Sequence, residues 1–320
     1  MRIAARRYSL IQFASAIVAL AGLALLVSLS HSRKGATPVA PNQTSSSRSP
    51  RVISLVPAAS DIIEGIGCGD HLVAVSNYDL DPRTRNLPRV GDYLTTDWER
   101  IAPLRPQVIV TQYAEGRTPA GFAQRVQALG AKQVNLHIDR LEDIYVAAQK
   151  LGDACDEHEK GAKAVTALRQ KLDAIHQRVA NEPVIPALIV VNSDGTGVAG
   201  PGTYLDDLLT IAGGKNAAAE LDSPWPTIDR ERLAALAPQA IIQLLASDAP
   251  QVQRQAESVW ASMPDVPAVK NGRVVRLSQW YVMQPGYEVA TLAQQFAQTL
   301  HPQAMSQPVT TSHSTMPMPN

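Results

Sequence analysis

Asp97-Trp98-Glu99-Arg100-Ile101-Ala102-Pro103-Leu104-Arg105-Pro106-Gln107-Val108-Ile109-Val110 reads as a short helix, a Pro-marked turn and a buried strand. It aligns without gaps on Asp229-Arg230-Glu231-Arg232-Leu233-Ala234-Ala235-Leu236-Ala237-Pro238-Gln239-Ala240-Ile241-Ile242, with eight of the fourteen positions identical. Two copies of one αβ unit are too few for a solenoid, whose repeats bury their faces only by stacking in series. They fit a bilobed protein with a cleft.

Around the two copies, short β-branched runs alternate with segments of helical period. The runs are Arg51–Leu55, Leu72–Ser76, Gln107–Thr111 and Gln133–Leu136, then Ala187–Asn192, Ala240–Leu244 and Arg273–Leu277. Such alternation indicates βαβ units and mostly parallel sheets. Between the two groups, Val165, Leu168, Leu172, Ile175 and Val179 recur at steps of three and four. That spacing predicts one amphipathic helix over 155–181, about 38 Å long at 1.5 Å per residue, ended by Pro183 and Pro186. The expected fold is therefore α/β, two Rossmann-like lobes with mostly parallel central sheets joined by one long backbone helix. The expected boundaries are 51–152 for the first lobe, 155–181 for the helix and 184–302 for the second lobe.

The chain has 320 residues, with 29 Lys+Arg against 29 Asp+Glu. The balance conceals two parts. Residues 1–50 hold six basic residues and no acid, so residues 51–320 carry 23 basic and 29 acidic groups. A body with an acidic excess is unsuited to non-specific nucleic-acid binding, which needs many cations on phosphate. Arg6 and Arg7 precede an apolar run from Leu10 to Leu29, the layout of an export signal over 1–30. A run of that length is read either as a cleaved signal peptide or as an uncleaved anchor in the inner membrane, and in both cases the body is expected in the periplasm. Residues 31–50 and 303–320 are rich in Pro, Ser and Thr and are expected to be a disordered linker and tail.

Signals for chemistry are sparse. Gly195-Thr196-Gly197-Val198-Ala199-Gly200 follows a strand and matches the G-x-G-x-x-G nucleotide fingerprint, but Pro201-Gly202 separates it from the next helical segment. A nucleotide-dependent enzyme using that loop is the distant alternative; the other reading is a flexible Gly-rich loop at a strand end. His71, His137, His158 and His176 lack metal-ligand spacing, and no Ser or Cys has a nucleophile setting, so neither a resident cofactor nor catalysis is expected. Cys68 and Cys155 are the only cysteines, and either pairing in an oxidising compartment or two separate buried thiols fits the sequence. Glu99 and Glu231 hold the same place in the two copies. Thr96-x-x-Glu99 reads as a capping box, but Ile228 replaces the Thr in the second copy, so a docking role on a partner with two basic sockets is the competing reading. Tyr78, Tyr93, Tyr113, Trp225 and Trp280-Tyr281 sit in loops beside Pro, Gly or Asn, where they are candidates to grip a large, partly flat ligand.

Residues 51–302 resemble the periplasmic binding proteins of the iron-siderophore and vitamin B12 class, and the vitamin B12-binding branch resembles them most in its motifs. The resemblance is carried by the run Arg51 to Glu64, by Val75-Ser76-Asn77-Tyr78, by the first copy of the repeat, and by Ala212 to Asn216, Pro224-Trp225-Pro226 and Asp229 to Leu233. It implies a metal chelate, cobalt or iron, held between two lobes and delivered to an ABC permease dimer and its ATPase. It implies that Glu99 and Glu231 salt-bridge arginines of the two permease subunits. It implies ligand-binding roles for Tyr78, Tyr93 and Trp225, where the vitamin B12-binding branch has aromatic residues, and for Gln112 with Tyr113 adjacent and Gln279, beside which the loop aromatic Trp280 is a further candidate. Gln112 departs from an aromatic in that branch, and Gln279 and Met283 depart from an acid and an arginine. A ferric siderophore or haem is the alternative ligand.

Overall fold

The computed structural model describes residues 49–306. The export segment, most of the linker and the tail beyond Ser306 lie outside the described residues. In chain order the first lobe comprises β1 (Val52–Ser54), α1 (Pro57–Gly65), β2 (Leu72–Val75), α2 (Trp98–Ile101), β3 (Val108–Thr111), α3 (Phe122–Ala128), β4 (Lys132–Asn135) and α4 (Leu141–Ala154). The long helix α5 (His158–Val179) follows. The second lobe comprises β5 (Ile185–Val190), α6 (Tyr204–Ile211), β6 (Gly214–Asn216), α7 (Arg230–Leu236), β7 (Ala240–Leu244), α8 (Pro250–Ala261), α9 (Pro267–Lys270), β8 (Val274–Leu277) and α10 (Val289–Leu300). A last helix, α11 (Pro302–Ser306), is tied to α5 where Arg178 donates to the Met305 carbonyl at 2.6 Å.

The sheets have the same plan. Their orders are β2-β1-β3-β4 and β6-β5-β7-β8, and every pairing is parallel. The period-two alternation of a sheet buried on both faces places Val52, Val108 and Val110 in one apolar cluster and Ile53, Leu55 and Ile109 in another. In the second sheet Ile189, Ile242 and Leu244 face the first of these clusters, while Leu188, Val190 and Ile241 face a third. The cluster common to both sheets passes through Leu168, Leu172, Ile175 and Val179 of α5. A continuous core of this kind resists bending between the lobes, because native packing density leaves few voids to absorb a shift.

The two copies of the repeat fold alike. Each helix turns into its strand through a left-handed residue, Arg105 at φ 46° and Ala237 at φ 45°, just before Pro106 and Pro238. Three features differ from the sequence reading. Residues 303–306, expected to begin a disordered tail, are helical as part of α11. Helix α5 begins at His158 rather than at residue 155, because Cys155 caps α4 and Asp156 is left-handed at φ 57°. Strand β6 was not anticipated: Gly214-Lys215-Asn216 has no β-branched residue and is a strand only because it pairs with Ile185 to Ala187.

Candidate functional site

In each parallel sheet all strands end on one edge. The chain runs from β1 outward to β2 and then crosses to β3, so the direction of winding reverses between β1 and β3, and likewise between β5 and β7. The crevice outside the strand ends at such a reversal is where open α/β sheets take ligands. The loop after β2 carries Tyr78, that after β3 carries Gln112 and Tyr113, and that after β8 carries Gln279 and Trp280. Tyr93 precedes α2 in a turn closed by the Gly91–Thr96 bridge, and Trp225 precedes α7.

Tyr78 is 70% exposed, Tyr93 37% and Trp225 48%, which is unusual for large rings in a protein with few aromatics. Tyr93 and Trp225 are each backed by a buried ring. Tyr113, only 5% exposed, packs edge-on beneath Tyr93 at 5.8 Å between centroids and donates its hydroxyl to the Tyr93 carbonyl. Tyr113 in turn meets Phe122 at 5.3 Å, and Phe122 meets Trp98 at 5.0 Å. Burial pushes the Tyr113 hydroxyl up to about 12. Tyr113 thus positions Tyr93, and its own ring is turned inward. On the other lobe Tyr204, buried in the first turn of α6, stands 6.4 Å behind Trp225. Gln279 is exposed, and Trp280 is half-buried against Tyr281 at 5.5 Å.

A charged network joins this edge of the two lobes. The Arg83 guanidinium lies 5.4 Å from the Trp280 ring centroid and bonds Asp61 at 2.7 Å and Asp81 at 2.6 Å. Asp61, fully buried on α1, also accepts the Glu288 amide at 3.0 Å, and Gly286 packs so close that a Cβ there would meet the Asp61 carboxylate at 2.1 Å. The two partners titrate differently. Two carboxylates hold Arg83 above its ordinary value, whereas burial outweighs the pairing and the donated amide at Asp61 and pushes it up to about 6. Arg83 and Asp61 were not singled out by the sequence reading, nor were Leu80 and Leu94, which are exposed on the same connection as Tyr78 and Tyr93; Met283, noted there only as a departure from an arginine, is exposed too. Only the Asp81-Pro82-Arg83 spacing hinted at the first of them, since an acid two positions ahead fixes an arginine head group through three bonds of 2.6–2.9 Å.

The Gly195–Gly200 loop does not form a phosphate cradle. The Val198 and Gly200 amides donate to Pro226 and Pro224 carbonyls at 3.1 and 2.8 Å, Ala199 donates to Ile189 at 3.0 Å, and α6 starts only at Tyr204. Glu99 and Glu231 stand exposed in the first turns of α2 and α7. The capping-box assignment needs correcting: Thr96 donates instead to the Asp92 carbonyl, and the caps are Asp97 and Asp229, which accept the Arg100 and Arg232 amides at 3.1 and 2.7 Å. Both copies therefore have the same cap, and the same dipole argument for an acid in the first turn applies to both glutamates.

Two further features bound the site. A recess of about 750 Å³ lies between α4, α5 and α6, but it is lined by Arg140, Arg169, Glu142, Asp207 and their neighbours, and neither Tyr78, Tyr93 nor Trp225 borders it. Its arginines are paired, Arg140 with Asp207 at 2.6 Å and Arg169 with Glu142 at 2.7 Å. Among the described residues no group of three or more His, Cys, Asp or Glu side chains is placed to hold a metal ion, and no helix is long and apolar enough to cross a membrane.

A family model described as periplasmic binding protein matches residues 52–280. The chain belongs to the periplasmic binding protein family. This binding protein is 27% identical over 252 residues to the vitamin B12-binding protein of Photorhabdus laumondii, covering 78% of this chain and 88% of that one. It is 29% identical over 192 residues to the vitamin B12-binding protein of Vibrio cholerae, covering 60% and 69%. Among solved structures, the periplasmic vitamin B12 binding protein of Vibrio cholerae superposes with a TM-score of 0.65 at 25% identity, covering 81% of this chain and 99% of that one. A periplasmic heme binding protein of Pseudomonas aeruginosa shares the fold at a TM-score of 0.69 and 23% identity, covering 80% and 94%. Membership implies a periplasmic location and the role of a substrate-binding transport protein that works with an ABC permease and ATPase; the family's members are not enzymes.

Proposed function

We propose that this binding protein captures a corrinoid of the vitamin B12 type between its lobes and hands it to an ABC permease. The observation that carries the reading is the set of exposed rings Tyr78, Tyr93 and Trp225 at the strand-end edges of both sheets, the first two on the connection from β2 to α2 and the third on the connection from β6 to α7. Rings presented from two sides suit a large macrocycle, whose faces lose their water against them. The Arg83–Trp280 contact adds a cationic, hydrogen-bonding corner beside that surface. A ligand carrying its own chelator also accords with the lack of a ligating cluster among the described residues. The relatives named vitamin B12-binding protein support the same choice.

Binding involves no reaction. The rings contact the macrocycle, loop amides and hydroxyls contact its polar rim, and the shared core through α5 keeps closure to a few degrees. The unit proposed to do this is residues 51–302, with Gln112 and Gln279 as polar contacts and Glu99 and Glu231 as the acids that meet the permease. Titration of the purified protein with cyanocobalamin tests the reading, with heat or an absorbance change expected at micromolar protein. Silence with cyanocobalamin, together with a Soret band on adding haemin or quenching by a ferric hydroxamate, would transfer the assignment to haem or a siderophore.

A further inference from the structure

The chain has only two cysteines, and 86 residues separate them. The fold brings them together. Cys68 follows α1, where its amide donates to the Ile63 carbonyl at 2.9 Å, and Cys155 caps α4, where its amide donates to Leu151 at 3.1 Å. Both are thiols, both are 1% exposed, and both lie in the core shared by the two lobes. Their side chains are neighbours, each thiol perturbing the other. A second tie joins the same two segments: Lys160 of α5 donates to the Gly67 carbonyl at 3.3 Å. Neither sulfur belongs to the proposed ligand surface.

We propose that Cys68 and Cys155 form an intramolecular disulfide in the exported protein, fastening the end of α1 to the corner between α4 and α5. The inference rests on the periplasmic location and is independent of which ligand is bound. Neighbouring thiols in one buried cluster have only to close to the S–S distance of about 2 Å, with the backbone of both segments already held together by Lys160 and the Gly67 carbonyl. The oxidant is a protein or small-molecule disulfide of the kind that an oxidising compartment supplies. The Cys68 thiolate attacks one sulfur of that donor, giving a mixed disulfide and releasing the first donor sulfur as a thiol. The Cys155 thiolate then attacks Cys68 Sγ and expels the second. Two S–H bonds are lost and one S–S bond forms, while the donor disulfide gains two electrons and the two protons.

Timing follows from burial. In the folded chain burial raises both thiols, Cys155 to about 12, so little thiolate exists at neutral pH and access is closed. The bond therefore forms before the core closes, and the reduced folded protein oxidises slowly.

The test is to alkylate the full-length protein, recovered from the periplasmic fraction, in denaturant without reductant and to weigh it. The expected result is no adduct before reduction, two after it, and a cross-linked peptide pair containing Cys68 and Cys155. Two adducts before reduction, or a disulfide-linked dimer in place of the internal bond, overturn the proposal. A second arm is independent of export. Reduced protein unfolded and refolded with oxidised glutathione is expected to close the bond, whereas the same oxidant added to folded reduced protein acts at least tenfold more slowly; two free thiols after oxidative refolding refute the proposed pairing. The double variant C68S/C155S, expected to fold with a lower thermal midpoint that reductant no longer shifts, shows that the effect comes from this bond.

Discussion

The carboxylate of Asp61 accepts the backbone amide of Glu288 at 3.0 Å, joining the first helix of one lobe to the start of the last long helix of the other. Its second oxygen takes Arg83 at 2.7 Å, and Arg83 carries the contact on to Trp280. One buried acid thus sets the seam between the lobes on the side where the candidate ligand surface lies.

Asp61 makes stability depend on pH in a direction opposite to that of an ordinary paired carboxylate. Its value is raised from 3.8 to about 6, so its contribution to stability is fully present below about pH 4 and is lost as pH rises through about 6. A shift of this size corresponds to about 3 kcal/mol across the window. Urea unfolding at intervals from about pH 4 to pH 7 is expected to show a proton bound on folding, with D61N flattening the profile in that range. An unchanged profile in D61N would place the titration elsewhere.

Tight seams tolerate no added atoms. A Cβ at Gly286 would meet Asp61 at 2.1 Å, and one at Gly65 would meet the Tyr287 ring at 2.2 Å. Each Gly→Ala change is expected to destabilise by about 1–3 kcal/mol through overpacking, read as a lower thermal midpoint. An unaltered midpoint in both variants would show that the lobes separate freely.

The exposed rings and the buried ring behind them separate in their effects. Tyr78→Ala and Trp225→Ala are each expected to weaken cyanocobalamin binding about tenfold while shifting stability by no more than about 0.5 kcal/mol. Tyr113→Phe removes the bond to the Tyr93 carbonyl and is expected to reverse the pattern, losing about 1 kcal/mol of stability with a smaller loss of affinity. Calorimetry and thermal melts on the same samples distinguish the two.

Glu99 and Glu231 are both exposed, so replacing either with Ala is expected to leave ligand affinity unchanged and to cost at most about 1 kcal/mol at the helix start. Uptake into cells should nevertheless fall, and fall further with Arg at both positions, since like charges would then face the proposed basic sockets. Full uptake by the doubly reversed variant would remove the docking role.

Much of the architecture was legible in the chain. The repeat at Asp97 and Asp229, the β-branched runs and the stripe from Val165 to Val179 are local signals, because alternation and helical period are imposed by the backbone within a few residues. They suffice for two parallel α/β units and a joining helix, and the loop positions of Tyr78, Tyr93 and Trp225 are legible in the same way from the Pro, Gly and Asn beside them. Strand β6, the Asp97 cap, the inward turn of Tyr113 and the Arg83–Asp61–Glu288 seam were decided only by the tertiary structure. So was the meeting of Cys68 with Cys155. Each depends on a partner that the chain's local pattern does not specify, whether a strand supplying hydrogen bonds, a ring filling a gap, or a second segment 87 residues away. Such pairings are selected by how two lobes pack on a common helix, and that packing is a property of the whole core.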